Sequence, residues 1–556
     1  MIGYAYDTSL RSLSKVAQIA TLAALTAAAA LASALAQTPA TPPRATIPRI
    51  DPAPSATSNP FAVSGSFRSY YFTRQNASNN PGARFDASSA KYSSTGVNQI
   101  SLNDAIDLHA DYHFARGPWF VGGSYFYANP IAGPCTPAAT HAKDQPCVSQ
   151  RPPNTNPDDT LPGFALGSFP EAYLGFEGYG VSAKIGDQLF TSPWAASYDG
   201  SRLKPAAYQG ADVSYRIGGS WTLELADMIQ FENRTSAAFD RTTLLTSFPA
   251  GGGGLASNIY VPGGGGIETN GFLFGKAGYA PKGAAYSVTG YFYGISSLLN
   301  VWWLDGKETF DKVPWKPFVA IQGGVERNAG ASYIGKIRSS AIGVQIGAEP
   351  YRGLALTASF DALPWQVDNV ALPRGVTCDN GTFQISAKGA TLGYFLPINA
   401  GQCFTRANGT TAVYYGGWAS PYTAGYSSDP LFTTNISQGL ADRHAPGTAW
   451  KVSATYTTAN QKWVFNAGDA WFDYGNALVS AITNEWDLDA QYHLSAVTTS
   501  RYKGLLLRYR YAQRSQSNTF CGAARSTCVT GAAIGASFLG GLPLFKYNRA
   551  QLEYDF

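Results

Sequence analysis

The chain has 556 residues, 13% of them aromatic and only 14% charged, with 33 Tyr and 59 Gly, whereas an ordinary soluble domain carries about 25% charge. The formal charge of +4 becomes +3 once residues 1–36 are set aside, because Arg11, Lys15 and Asp7 leave with them; so small a charge excludes a basic nucleic-acid-binding class. Low charge with many Tyr and Gly suits a barrel wall with aromatic girdles and tight turns.

Residues 1–36 read as a signal peptide. Arg11 and Lys15 precede an apolar stretch from Val16 to Ala36 that ends in Ala34-Leu35-Ala36, which predicts cleavage before Gln37. A membrane anchor needs about 20 apolar residues and is the alternative, but the Ala-x-Ala end favours cleavage. Residues 37–60 hold seven prolines and read as a disordered periplasmic lead-in. So short a lead-in cannot fold into a plug, which argues for a passive pore over an energised transporter.

From Phe61 to Phe556 the chain shows stretches of alternating polarity of about ten residues, the length of a barrel strand. They start near Phe61, Asn103, Trp119, Glu171, Gly180, Gly210, Trp221, Gly271, Tyr286, Val301, Trp315, Gly335, Leu354, Trp450, Trp463, Glu485, Gly504 and Asn548. That predicts an all-β fold, a transmembrane antiparallel barrel of about eighteen strands. The connections alternate short and long. Glu177–Tyr179 and Ile217–Ser220 are among the short ones; Ala128–Pro170, Gln188–Gln209 and Leu363–Ala449 are among the long ones. Short periplasmic turns and long outer loops are the asymmetry of such barrels.

In one early strand Asp107, His109, Asp111 and His113 alternate with Ile106, Leu108, Ala110 and Tyr112. A polar face of this kind must line a wet lumen, because it cannot point at lipid. His109 and His113 beside these acids read as polar wall, not as a metal site. The last strand alternates Arg549, Gln551, Glu553 and Asp555 with Ala550, Leu552, Tyr554 and Phe556. Left open it would be a pairing hazard, so it is expected to close on the first strand.

The cysteines form three sequence-local pairs, Cys135 with Cys147, Cys378 with Cys403 and Cys521 with Cys528. All fall in long connections, and in an exported chain they read as loop disulfides. Zinc is the alternative, but no pair has the spacing of a zinc site.

Lys503 to Tyr511 carries the main basic constellation. Leu505, Leu507, Tyr509 and Tyr511 share the lipid face, so Arg508 and Arg510 share the lumen face, about 6.5–7 Å apart along the strand. Two guanidinium forks at that spacing can pass a carboxylate between them; pairing with Asp487 and Asp489 is the alternative and is compatible. The third long connection, Ser192 to Pro205, would narrow the pore if folded inward, with Arg202 and Lys204 as eyelet cations opposite Asp199. The alternative is a loop packed on the wall. Arg68, Lys184, Lys336 and Arg338 are weaker lumen candidates, placed by alternation alone. The sequence has no GxSxG, HExxH or GxxxxGK[ST] pattern, so no enzyme, cofactor or metal is expected. The runs Gly251–Gly254 and Gly263–Gly266 read as flexible linkers.

Together these stretches resemble the OprD-like family of substrate-selective outer-membrane porins. The resemblance is carried by Arg68-Ser69-Tyr70-Tyr71-Phe72-Thr73-Arg74, by Asp199 to Pro205 with Tyr208-Gln209-Gly210, by Lys316-Pro317-Phe318, by Ile334-Gly335-Lys336-Ile337 and by Lys503 to Ala512. It implies an eighteen-stranded barrel, inward loops, and a basic track that guides carboxylate-bearing solutes such as amino acids or aromatic acids. Arg508 and Arg510 would lie on that track and Arg202 in the constricting loop. The cysteine pairs and the long 363–449 connection depart from the family pattern.

The expected partners are small solutes, outer-membrane lipid and lipopolysaccharide, and the barrel-assembly machinery through Phe556, in a monomer or homotrimer of a Gram-negative outer membrane. An unselective porin and an adhesin or structural barrel with functional outer loops are the alternatives.

Overall fold

The computed structural model describes residues 60–77, 84–86, 91–93, 99–114, 117–132, 165–197, 203–234, 236–247, 265–330, 337–370, 376–379, 382–385, 402–405, 411–423, 429–436, 439–441, 446–473, 482–494, 504–516, 519–521, 528–530 and 544–556. The expected signal segment, residues 1–36, and nearly all of the expected lead-in, residues 37–60, lie outside them.

Eighteen strands form one antiparallel sheet that closes on itself. In chain order they are β1 (Phe61–Ala77), β2 (Gln99–His113), β3 (Trp119–Ala132), β4 (Leu166–Gly178), β5 (Val181–Gln188), β6 (Ala207–Ile217), β7 (Trp221–Glu232), β8 (Phe272–Tyr279) and β9 (Tyr286–Ile295). They continue with β10 (Leu299–Thr309), β11 (Phe318–Asn328), β12 (Arg338–Tyr351), β13 (Leu354–Leu363), β14 (Gly447–Thr457), β15 (Trp463–Asp473), β16 (Ile482–His493), β17 (Gly504–Gln516) and β18 (Leu544–Asp555). Each pairs with its neighbour in sequence, and β1 pairs with both β2 and β18. Alternation therefore located every strand, including the weakly patterned ones near Glu171 and Val301.

Closure is made by the last residues. Phe67 stands opposite Tyr554 and Arg68 opposite Glu553. Phe556 and Gly65 exchange backbone hydrogen bonds of 2.9 and 3.0 Å. A Cβ at position 65 would lie 2.6 Å from the Phe556 ring, so only glycine lets the terminal aromatic lie across the seam. At the opposite extreme of economy, Tyr179 (φ 55°) and Gly180 (φ 79°) alone join β4 to β5; two left-handed residues match the twist of a tight hairpin.

The outward face is apolar. Around the seam Phe67, Tyr71, Leu507, Tyr509, Leu552 and Tyr554 are all exposed. Trp119, Trp221, Trp315 and Trp463 ring the short-turn end, and Trp302, Trp450, Trp471 and Trp486 lie toward the long-connection end. Two aromatic girdles flanking an apolar band are what a bilayer requires of a barrel. Among the described residues no helix is long and apolar enough to cross a membrane.

The bore is not empty. Long connections fold into it and build an apolar core that includes Phe190, Trp194, Tyr208, Phe272, Trp303, Trp418 and Tyr422. This core rests on wall residues from β6 round to β15, and the charged wall is built by β16, β17, β18 and β1.

Candidate functional site

The charged wall is written by strand register. On the inward face Asp489 of β16 stands opposite Arg510 of β17, and Arg510 stands opposite Arg549 of β18. One row toward the short turns, Gln491, Arg508, Gln551 and Tyr70 follow one another across β16, β17, β18 and β1. Leu507 and Tyr509 point outward, so the Arg508 and Arg510 placement read from alternation holds.

Asp489 organises the arginines. Arg508 Nε donates to Asp489 Oδ1 at 2.9 Å, its Nη2 donates to Oδ2, and Arg510 Nε lies 3.3 Å from the same Oδ2. Two guanidiniums thus converge on one carboxylate. Arg549 stands beside them, its guanidinium 5.1 Å from the Tyr70 ring centre, a cation–π distance. Arg510, Arg514 and Arg549 are all buried. Arg514 was not singled out from sequence, yet it extends the alternation of Arg508 and Arg510 by two more steps.

Arg68 faces inward as expected. Its Nε donates to Glu553 Oε1 at 3.1 Å and its Nη1 to the Leu203 carbonyl at 3.1 Å. Lys184 also faces inward, its ammonium 4.4 Å from the centre of the Tyr173 ring. His109 is clamped between carboxylates, with Nε2 2.8 Å from Asp111 and Nδ1 3.2 Å from Glu171.

Two expected positions are corrected. Arg338 shares the outward parity of Ile342, Val344 and Ile346 and is exposed; its guanidinium lies 4.0 Å from Asp368. Three apolar side chains that must face lipid fix that parity, and the inward position beside Arg338 is Ser339, which donates to the Gly417 carbonyl at 2.6 Å. Lys204 does not present its charge to the passage either. Its ammonium is 3.0 Å from Glu232, with both side chains buried, and 3.1 Å from the Asn233 carbonyl. Burial pushes the Lys204 ammonium down from the ordinary lysine value, and Glu232 opposes that shift. Asp199, Arg202 and Lys336 lie outside the described residues, as do Cys135 and Cys147.

Two connections narrow the bore. The first joins β5 to β6. Its Trp194 backbone N–H donates to the Tyr293 hydroxyl at 3.2 Å, and its ring lies 5.1 Å from Trp303 and 4.8 Å from Trp418. The second is the long connection between β13 and β14. Its described residues 416–423, 429–436 and 439–441 work as a strap across the bore. The Ala419 N–H donates to Glu326 of β11 at 2.8 Å, and the Thr433 N–H to Asp361 of β13 at 2.6 Å. Lys451 of β14 donates to the Thr434 carbonyl at 2.7 Å, and Asn435 donates to the Glu485 carbonyl of β16 at 2.9 Å. Ile436 then joins Leu203, Tyr70, Ala512 and Tyr547 in a buried apolar cluster. Leu203 and Ile436 thus bring both connections up to the β17–β18–β1 wall, beside the arginines. Nothing in the local sequence announces this strap, because its partners lie on many different strands around the barrel.

No family model and no curated protein sequence matches the chain. Solved structures do. OccK9 (OpdG) of Pseudomonas aeruginosa is 15% identical, with 89% of this chain and 98% of that chain covered and a TM-score of 0.56. A BenF-like porin from Pseudomonas fluorescens Pf-5 is 11% identical, with 89% and 98% covered and a TM-score of 0.57. OccK2 (OpdF) of Pseudomonas aeruginosa, solved in complex with glucuronate, is 12% identical, with 89% and 96% covered and a TM-score of 0.55. At these identities the likeness is one of fold, and the fold this chain shares with them is a closed eighteen-stranded antiparallel barrel.

Proposed function

We propose that the chain is an outer-membrane porin for passive, partly selective diffusion of small water-soluble solutes that carry a carboxylate. The observation that supports this most is the group of Arg508, Arg510 and Arg549 on the inward wall, with Asp489 holding the first two. An anionic solute reaching that wall meets three guanidiniums gathered near Asp489, and guanidinium forks suit a carboxylate's two oxygens. Asp489 limits the gain, so the solute is released again, as conduction requires. Leu203 and Ile436 limit its size. The apolar belt, the two girdles and the likeness to a BenF-like porin support a bilayer location, with the short turns on the periplasmic side. The glucuronate in OccK2 is a carboxylate too. Arg202 and Asp199 remain part of the proposed constriction, and no catalytic role is assigned to any residue.

The test is single-channel recording of the purified protein in planar bilayers. Discrete conductance reduced by millimolar glucuronate or benzoate, and unaffected by a neutral sugar of similar size, is expected. A barrel that carries no current would refute the porin reading, and currents indifferent to carboxylates would favour an unselective pore.

A further inference from the structure

The seam holds a second charged group, nearer the short turns. Ser66 of β1 stands opposite Asp107 of β2 and opposite Asp555 of β18. The three therefore form one cross-strand row on the inward face. Directly opposed residues of antiparallel strands have Cβ atoms about 4.5–5.5 Å apart, so both carboxylates can reach over the serine between them.

Ser66 is 6% exposed. Its hydroxyl is buried and has no hydrogen-bond partner, and Oδ1 of Asp107 is likewise buried and unpartnered. A buried hydroxyl flanked by two carboxylates would ordinarily donate to one of them. Left without that bond, it offers its oxygen to something lying between the acids.

The surrounding charges set the valence. Glu553 and Arg68 act on Asp555, but they are paired with each other at 3.1 Å. Asp107 acts on Lys204, whose ammonium is already held at 3.0 Å by Glu232. Asp107 and Asp555 thus stand together while Arg68 and Lys204 are each held by another carboxylate. Among the described residues no three His, Cys, Asp or Glu side chains gather as metal ligands do, which argues against a closed cage of the zinc type. Two carboxylates, one hydroxyl and water make an irregular, all-oxygen set. Calcium accepts such a set at variable geometry, whereas magnesium demands a near-ideal octahedron.

We infer that the Asp107–Ser66–Asp555 row binds one calcium-type divalent cation, which ties the first, second and last strands together at the barrel seam. The ion neutralises the two acids and so also removes an anion-repelling step from the wall beyond the arginines. This site does not depend on the porin reading.

The experiment uses the full chain refolded in zwitterionic detergent without lipopolysaccharide, which binds divalent ions itself. Folding of each variant is checked by heat-modifiable electrophoretic mobility, and calcium binding is measured by equilibrium dialysis at constant ionic strength. One saturable calcium per chain is expected, with magnesium competing weakly. Asp555→Asn and Asp107→Asn each remove a charged ligand and should weaken binding about tenfold or more, and Ser66→Ala should weaken it by a smaller factor. Absence of saturable binding in the wild-type chain, or unaltered affinity in folded D555N, overturns the site.

Discussion

Arg68 joins three separate parts of the barrel: from β1 it donates to the Glu553 carboxylate of β18 and to the Leu203 carbonyl of the β5–β6 connection, each at 3.1 Å. One guanidinium thus holds the closing strand and the inner edge of the constriction at once. It is a planar donor fork, which a lysine could not replace.

Arg68→Ala should therefore act twice. Leaving buried Glu553 without its partner costs about 3 kcal/mol, read as a lower thermal midpoint by heat-modifiable mobility. Freeing Leu203 should widen the passage and raise single-channel conductance. A variant with lowered midpoint but unchanged conductance would show that Leu203 does not bound the pore.

Arg508 and Arg510 carry the proposed preference for anions. Removing a charge about 4 Å from a passing carboxylate removes about 1 kcal/mol in water, so the Arg508→Ala, Arg510→Ala double variant should lower the anion-to-cation permeability ratio roughly fivefold or more. Asp489→Asn should shift the reversal potential the opposite way. Reversal potentials across a salt gradient measure both, and an unmoved potential in the arginine variant would remove that pair from the path.

Lys204 and Glu232 make a buried pair whose role is to hold the connection. Lys204→Met alone leaves Glu232 buried and unpaired at a cost of about 3–5 kcal/mol. The double change Lys204→Met, Glu232→Leu should recover most of it. A thermodynamic cycle on thermal midpoints decides this, and a double-variant loss equal to the sum of the two single losses would mean that the pair is not coupled.

The strap is held by wall carboxylates. Replacing residues 416–441 with a short Gly-Ser linker should raise conductance several-fold while leaving the arginine wall, and hence the sign of ion selectivity, in place. Conductance equal to wild type would mean that the passage does not run past Ile436.

The cysteine pairs are open to direct chemistry. Cys521 and Cys528 are opposite residues of one hairpin, and the strand carrying Cys378 (Val376–Asp379) lies against the strand carrying Cys403 (Gln402–Thr405). The expected pairings are a proposal, and bridges across such loops stabilise by about 2–4 kcal/mol. Non-reducing peptide mapping should recover Cys521–Cys528 and Cys378–Cys403 as linked peptides; alkylation of all six thiols in the oxidised protein would refute them.

The sequence by itself determined the wall. Period-two alternation is a local property, because successive side chains of a strand point to opposite faces, and it sufficed for eighteen strands, for closure of β18 on β1 and for the inward face of Arg68, Arg508 and Arg510. It misassigned Arg338, where parity is decided by Ile342, Val344 and Ile346 further along the strand. The interior was decided by tertiary structure alone. Lys204 is a pore cation or a buried anchor according to whether Glu232, 28 residues away, lies within reach. The strap crosses the bore because Glu326, Asp361 and the Glu485 carbonyl wait on three distant strands. Only closure of the barrel brings such groups face to face, so no periodicity along the chain can record them.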